Sequence, residues 1–254
     1  MKTTGIVAIL LIVGVLLFTL VDGEMLDGEV GSEDLVTMKS SPDAEHTTVE
    51  TSRNNSSAVL IDAPHIQQLP ELPRGCEVTS LSMMLQHAGV DVDKMTLAKE
   101  VKKVPYQENG LYGNPNEGFV GNMYTYDEPG LSVYHEPLEE LANQYMPNQV
   151  KNLTGSNLDE IKESLSNESP VLVILASTYD EVPEETWETW ETKNGTIQVS
   201  RKIHSVLVTG FNKHSVFIND PLHPTKNRPI DIENFKTAWE EFGNQAIALA
   251  SVDQ

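Results

Sequence analysis

The chain has a single cysteine, Cys76, in 254 residues. That excludes an intrachain disulfide and any zinc site built from several cysteines. Positive charge is scarce too: 17 Lys and Arg stand against 38 Asp and Glu, a formal charge of −21. Such a surface repels phosphate backbones, which removes nucleic acid from the candidate partners. No internal repeat is present. Hydrophobic residues make up 39% of the chain, enough for the core of one large domain or two small ones.

The lone cysteine lies in an informative place. In Leu69-Pro-Glu-Leu-Pro-Arg-Gly-Cys-Glu-Val-Thr-Ser-Leu-Ser-Met-Met-Leu85, two prolines and a glycine deliver Cys76 to a helical pattern. Val78, Leu81, Leu85 and Ala88 recur at helical spacing, and Gly89 supplies a stop. Cys76 is therefore predicted in the first turn of a buried helix, where free N–H groups and the positive dipole end favour an anion. A thiol so placed can ionise more readily, and the thiolate is the reactive form. The alternative is a cysteine acting as a small core hydrophobe.

One long hydrophobic run exists, the uncharged stretch from Gly5 to Val21. With Lys2 before it and Asp22, Glu24 and Asp27 after it, the run fits an N-terminal membrane anchor facing outward. A cleaved signal peptide is the other reading, and either exports the remainder. Residues 22–58 are rich in Asp, Glu, Ser, Thr and Asn without hydrophobic period, as expected of a flexible acidic tether. A folded domain is predicted over 59–254.

Within that domain, Val59–Pro64 suggests a strand, and 91–103, 137–145 and 158–165 suggest helices, the last capped by Ser156 or Asn157. Residues 105–130 read as a long Gly- and Asn-rich loop. The C-terminal half reads as strands at 171–176, 196–200, 203–211, 215–219 and 246–250, with a helix at 233–242. The acidic segment 180–192, with Trp187 and Trp190, suggests a flap or a piece packed on the parent domain. Helices followed by an antiparallel sheet give an α+β domain.

His204 opens an apolar strand 128 residues after Cys76, and Asp220 ends the adjoining one. A hairpin folded about Lys213 brings His204 and Asp220 to one rim, the arrangement of a base and its orienting carboxylate. The imidazole would take the Cys76 proton, and the thiolate would attack a carbonyl carbon. Oxyanion donors would be the Cys76 N–H and a glutamine side chain, with Gln68 and Gln67 both open by spacing alone. A metal site of His214, Asp220 and His223 is the weaker alternative, lacking a helical ligand motif.

The run Q-x-L-P-E-L-P-x-G-C-E-x-T-S-L-x-M-x-L resembles the start of the bacterial C39-like peptidase family, in the papain-like cysteine peptidase clan. H-S-V-L-V-T-G-F, I-N-D-P and F-K-T-A-W-E-E-F-G-N-Q-A-I resemble it further along, over about 59–250. The resemblance implies a papain-like fold with the nucleophile helix packed on the C-terminal sheet. It implies Cys76 as nucleophile, His204 as base, Asp220 as its partner and Gln68 as oxyanion donor, a peptide or protein substrate, and no cofactor. Arg74 departs from the small or polar residue more usual at its position, and could crowd the cleft or favour an acidic substrate. Lacking an ATP-binding cassette, a P-loop or several spans, the chain does not inherit the leader-trimming role of transporter-fused relatives. Two other readings keep the same fold: an amidase or acyltransferase on cell-wall or isopeptide amides, and a non-catalytic peptide-binding module.

Overall fold

The computed structural model describes residues 58–250. The apolar run at 5–21 and the acidic stretch through residue 57 lie outside the described residues, and the anchor and tether readings with them. Among the described residues, no helix is long and apolar enough to cross a membrane.

The first half carries β1 (Val59–Leu60), α1 (Cys76–His87), α2 (Lys94–Glu100), β2 (Lys103–Val104), β3 (Gln107–Glu108), β4 (Leu111–Tyr112), β5 (Phe119–Val120) and α3 (His135–Tyr145). Next come β6 (Val150–Asn152), α4 (Leu158–Ser166) and β7 (Val171–Ala176). The rest is β8 (Trp187–Thr192), β9 (Gly195–Ser200), β10 (Ile203–Phe211), β11 (Ser215–Asn219), β12 (Arg228–Asp231), α5 (Ile232–Glu240) and β13 (Ala246–Leu249).

The main sheet runs β12-β11-β10-β7-β13-β6, every neighbour antiparallel, with β1 added to β10. All six residues of β7 are buried, since β10 and β13 flank it and α1, α4 and α5 pack against it. That explains an apolar run with no alternation. Helix α1 lies on β10 and β7, so the α+β architecture and its helix-on-sheet packing are as the sequence pattern predicts.

Helix α1 starts where Gly75 permits it. A Cβ on Gly75 would sit 2.4 Å from the Leu72 Cβ, so the tight approach of the 69–75 segment requires glycine. Every residue from Cys76 to Leu85 is buried, polar ones included. Two of those polar groups are satisfied near by: Thr79 Oγ1 donates to the Gly75 carbonyl (2.7 Å), and Ser82 Oγ donates to that of Val92 (2.8 Å). At the far end Gly89 adopts φ +83°, and the Val90 N–H returns to the Leu85 carbonyl (3.0 Å), closing the helix. Helix α4 is capped by Asn157, with Glu160 reaching back to complete the box.

The sequence reading needs several corrections. Residues 105–130 are not an uninterrupted loop: β3, β4 and β5 fall within them, each too short to show a period. The predicted 91–103 helix shrinks to α2, started by Asp93, whose carboxylate accepts from the Met95 and Thr96 N–H groups. The 59–64 strand keeps two residues. Strands β6 and β12 went unread because V-K-N and R-P-I-D each hold a single β-branched residue among residues depleted in strands. The Trp187–Trp190 segment is no free flap. It is β8, paired with β9 along its whole length through a turn that Gly195 completes at φ +109°. Trp190 is 1% exposed, stacked on Tyr112 at 4.4 Å and edge-on to Tyr106, while Trp187 packs on Phe242.

Candidate active site

Two elements build the site, the start of α1 and the start of β10. Ser80, one turn after Cys76 on the same helix face, donates from Oγ to the Ser205 carbonyl at 3.2 Å. That bond lays the helix along β10 and brings Cys76 over His204 and Ser205. Cys76, His204 and Gln68 then line one cleft of about 370 Å³, together with Arg74, Glu77 and Leu222. No hydrogen bond joins the thiol to the imidazole in this state.

The β10–β11 hairpin sets the other half of the geometry. Asn212 Oδ1 accepts from the His214 and Ser215 N–H groups at 2.8 Å, fixing the turn. Leu207 faces Asn219, and the ladder shifts by one residue between Val208 and Gly210. There β1 passes so closely that a Cβ on Gly210 would meet the Val59 carbonyl at 2.2 Å. Beyond the last pair, His204 Nε2 meets Asp220 Oδ1 at 2.8 Å, with the two side chains 4% and 5% exposed. The Nδ1 edge of the ring is left without a protein partner.

Asp220 is saturated. Oδ1 also accepts from the Leu222 N–H (2.9 Å), and Oδ2 takes the Tyr179 hydroxyl (2.8 Å) and Arg228 Nη1 (3.2 Å). Burial would raise this carboxyl, but the bonds from His204, Leu222 and Tyr179 outweigh it and hold it well below the usual range. Burial, the Asp220 charge and the Tyr179–Asp220 bond push the Tyr179 phenol far up, so it remains a neutral donor. His65 Nε2 lies 3.2 Å from the Asp220 backbone carbonyl.

The helix side behaves differently from the sequence expectation. A first-turn thiol reads as acidified, yet burial, the Glu77 charge and a hydrogen bond to Glu77 push the Cys76 thiol well above its ordinary value. The Ser205 N–H and the helix-start N–H of Cys76 itself counter only part of this. Glu77 is itself 1% exposed: Ser132 Oγ donates to Oε1, while Oε2 has no hydrogen-bond partner, and burial raises its carboxyl.

Gln68 lines the cleft, whereas Gln67 is exposed. The Gln68 N–H is tied to the Pro221 carbonyl at 3.0 Å, beside Asp220. Its side-chain amide, however, donates to the Leu72 (2.9 Å) and Pro73 (3.0 Å) carbonyls, and Oε1 has no partner. To donate to an oxyanion, the amide must exchange one of those carbonyls. The rival cluster does not gather: His223 Nδ1 accepts from the Thr225 N–H, and Asp220 is bound elsewhere. Among the described residues, no group of three or more His, Cys, Asp or Glu is arranged to hold a metal.

Sequence reasoning missed Glu77, Ser132, Tyr179 and Arg228. Only Glu77 carried a signal, a carboxylate inside an otherwise buried helix. The others converge from distant loops and strands.

Residues 60–247 match the model of the Peptidase_C39 like family. The Bacillus subtilis (strain 168) protein YvpB, described as uncharacterized, is 38% identical over 254 residues, covering 98% of this chain and 99% of its own. A crystal structure from Bacillus anthracis, provisionally designated a C39-like peptidase, is 46% identical with a TM-score of 0.76. It covers 78% of this chain and all of its own. The chain belongs to the Peptidase_C39 like family.

Proposed function

We propose that this protein is a cysteine peptidase that hydrolyses peptide bonds through a thioester on Cys76. One observation carries the reading: His204, paired with buried Asp220 at 2.8 Å, lines the same cleft as the chain's sole thiol. Because Asp220 accepts at Nε2, that nitrogen carries the proton and Nδ1 is the basic edge. Nδ1 removes the thiol proton. The thiolate then forms the C–S bond to the scissile carbonyl, whose electron pair moves to oxygen. The oxyanion is met by the Cys76 N–H and, after exchange with a carbonyl, by Gln68. Collapse breaks the C–N bond, and the amine leaves with the proton held by His204. Water, deprotonated by the same nitrogen, attacks the thioester and releases the acid and the thiol.

Iodoacetamide tests this directly. Alkylation of Cys76 near neutral pH should slow in His204→Ala, and the wild-type chain should cleave peptides that Cys76→Ala does not. Slow alkylation indifferent to His204 overturns the reading. It would favour a peptide-binding module of the same fold, which the elevated thiol and its bond to Glu77 support. Thioester capture by added amines in place of water would mark an amidase or acyltransferase. The uncharged run at 5–21, with carboxylates after it, supports a site of action outside the cytoplasm, anchored or released. Accessibility of the domain to protease added to intact cells tests that placement.

A further inference from the structure

The cleft reverses the sign of the chain around it. Against a formal charge of −21, two of its lining residues are arginines, Arg74 and Arg201, and one is a carboxylate, Glu77, which is buried. The two arginines are not equivalent. Arg201 is already compensated, with Nε on Glu188 Oε1 at 2.9 Å and Nη2 on the Tyr106 hydroxyl at 2.8 Å. Arg74 has no carboxylate partner among the described residues. Its Nη1 donates to the Asn122 and Thr125 carbonyls, and its guanidinium carbon lies 4.8 Å over the Tyr126 ring.

Those neutral partners fix the guanidinium in place without cancelling its charge, and they leave Nε and Nη2 unoccupied. A guanidinium oriented in this way offers a planar pair of donors whose natural complement is a carboxylate. It stands two residues before Cys76 and lines the same cleft as Cys76 and His204. An empty receptor of this kind at the reacting sulfur has one obvious occupant, an anionic group on the bound peptide.

We infer that the cleft selects peptides carrying a carboxylate beside the bond to be cut, held by Arg74, with Arg201 contributing less. This specificity rests on the peptidase reading of the same cleft. The carboxylate has two sources, an Asp or Glu side chain or the free C-terminus of the peptide, and the test separates them.

Binding is measured on full-length Cys76→Ala by fluorescence anisotropy at low salt. The peptides have blocked ends and differ only in Glu or Gln at one position, and a second set compares free with amidated C-termini. The tightest Glu peptide should bind about tenfold better than its Gln twin, with the margin narrowing as salt rises. Adding Arg74→Gln should remove the margin. Adding Arg74→Lys, which keeps the charge without the planar donor pair, should keep only part of it, a grading by charge that mere loosening of the 122–126 segment would not give. A margin confined to free C-termini assigns the receptor to a chain end. Equal affinity for Glu and Gln sets and for both termini, a margin that survives Arg74→Gln, or no binding of any peptide overturns the inference. Hydrolysis by the wild type separates the two ideas. Selective binding without cleavage defeats the peptidase reading and spares the receptor, while cleavage indifferent to Glu does the reverse.

Discussion

The sheet wall and the helix wall of the cleft are prepared to different degrees. On the sheet wall, both Asp220 oxygens are occupied, and His204 is held through Nε2 with its other edge free. On the helix wall, the thiol rests against Glu77, and the Gln68 amide is spent on the carbonyls of its own turn. On the proposed mechanism, the base is set in advance, and the nucleophile and oxyanion donor are not. On that mechanism a substrate carbonyl would have to draw Cys76 and Gln68 out of these surroundings to complete the second wall. The difference follows from construction. His204 and Asp220 are fixed by a hairpin ladder, whereas Cys76 and Gln68 sit on either side of a proline-rich turn with two orphaned acceptors, Gln68 Oε1 and Glu77 Oε2.

If the sheet wall is the prepared half, breaking it should cost most. Asp220→Asn keeps the shape but removes the charge that stabilises the imidazolium and selects the Nε2–H tautomer. kcat/KM for peptide hydrolysis should fall on the order of 10³- to 10⁴-fold, with peptide binding little changed. The variant should also be less stable, because Arg228 and the Tyr179 hydroxyl lose their shared acceptor. A loss under tenfold would show that His204 needs no orienting carboxylate.

The helix wall should respond more weakly. Gln68→Ala removes an oxyanion donor that must first be recruited, so kcat should drop about 10²-fold, at the low end for such donors. KM should change little, since the amide is not free to bind the ground state. An effect in KM alone would assign Gln68 to holding the 68–73 turn.

How much of this was legible in the sequence differs between the walls too. The His204–Asp220 contact could be read because a turn about Lys213 fixes which strand ends meet, and both strands announce themselves by apolar runs. The position of α1 was equally plain from Gly75, the helical period and Gly89. What could not be read is what reaches the site from afar. Tyr179 sits in a turn after β7 and Arg228 starts β12, and nothing local marks either as a partner of Asp220. Glu77 drew no notice because a first-turn carboxylate normally complements the helix dipole at the surface. Its burial depends on how Ser132 and the 119–133 segment fold over the helix, which no period in that stretch reveals. The same blindness left the 180–192 segment open between a flap and a piece packed on the parent domain, where N-G at 194–195 was the missed hairpin signal.

Glu77 offers the finest test of the contrast, since it ties the thiol's resting state to pH. With its folded-state pKa raised by burial, its contribution to stability is fully present below the usual glutamate value of 4.5 and is lost as pH rises through the higher folded value. Asp220 has the opposite sign: its contribution is present above the usual 3.8 and is lost as acid titrates the depressed folded carboxyl. Glu77→Gln should therefore raise the melting temperature at pH 7–8 and change it less near pH 4, whereas Asp220→Asn should do most harm at neutral pH and least in strong acid. On the thiol, Glu77→Gln removes the negative neighbour and the acceptor that holds the S–H. The pH profile of iodoacetamide alkylation should move to lower pH, with a gain of up to about tenfold at neutral pH. An unmoved profile would show that burial alone sets the thiol and that Glu77 is no part of the unprepared wall.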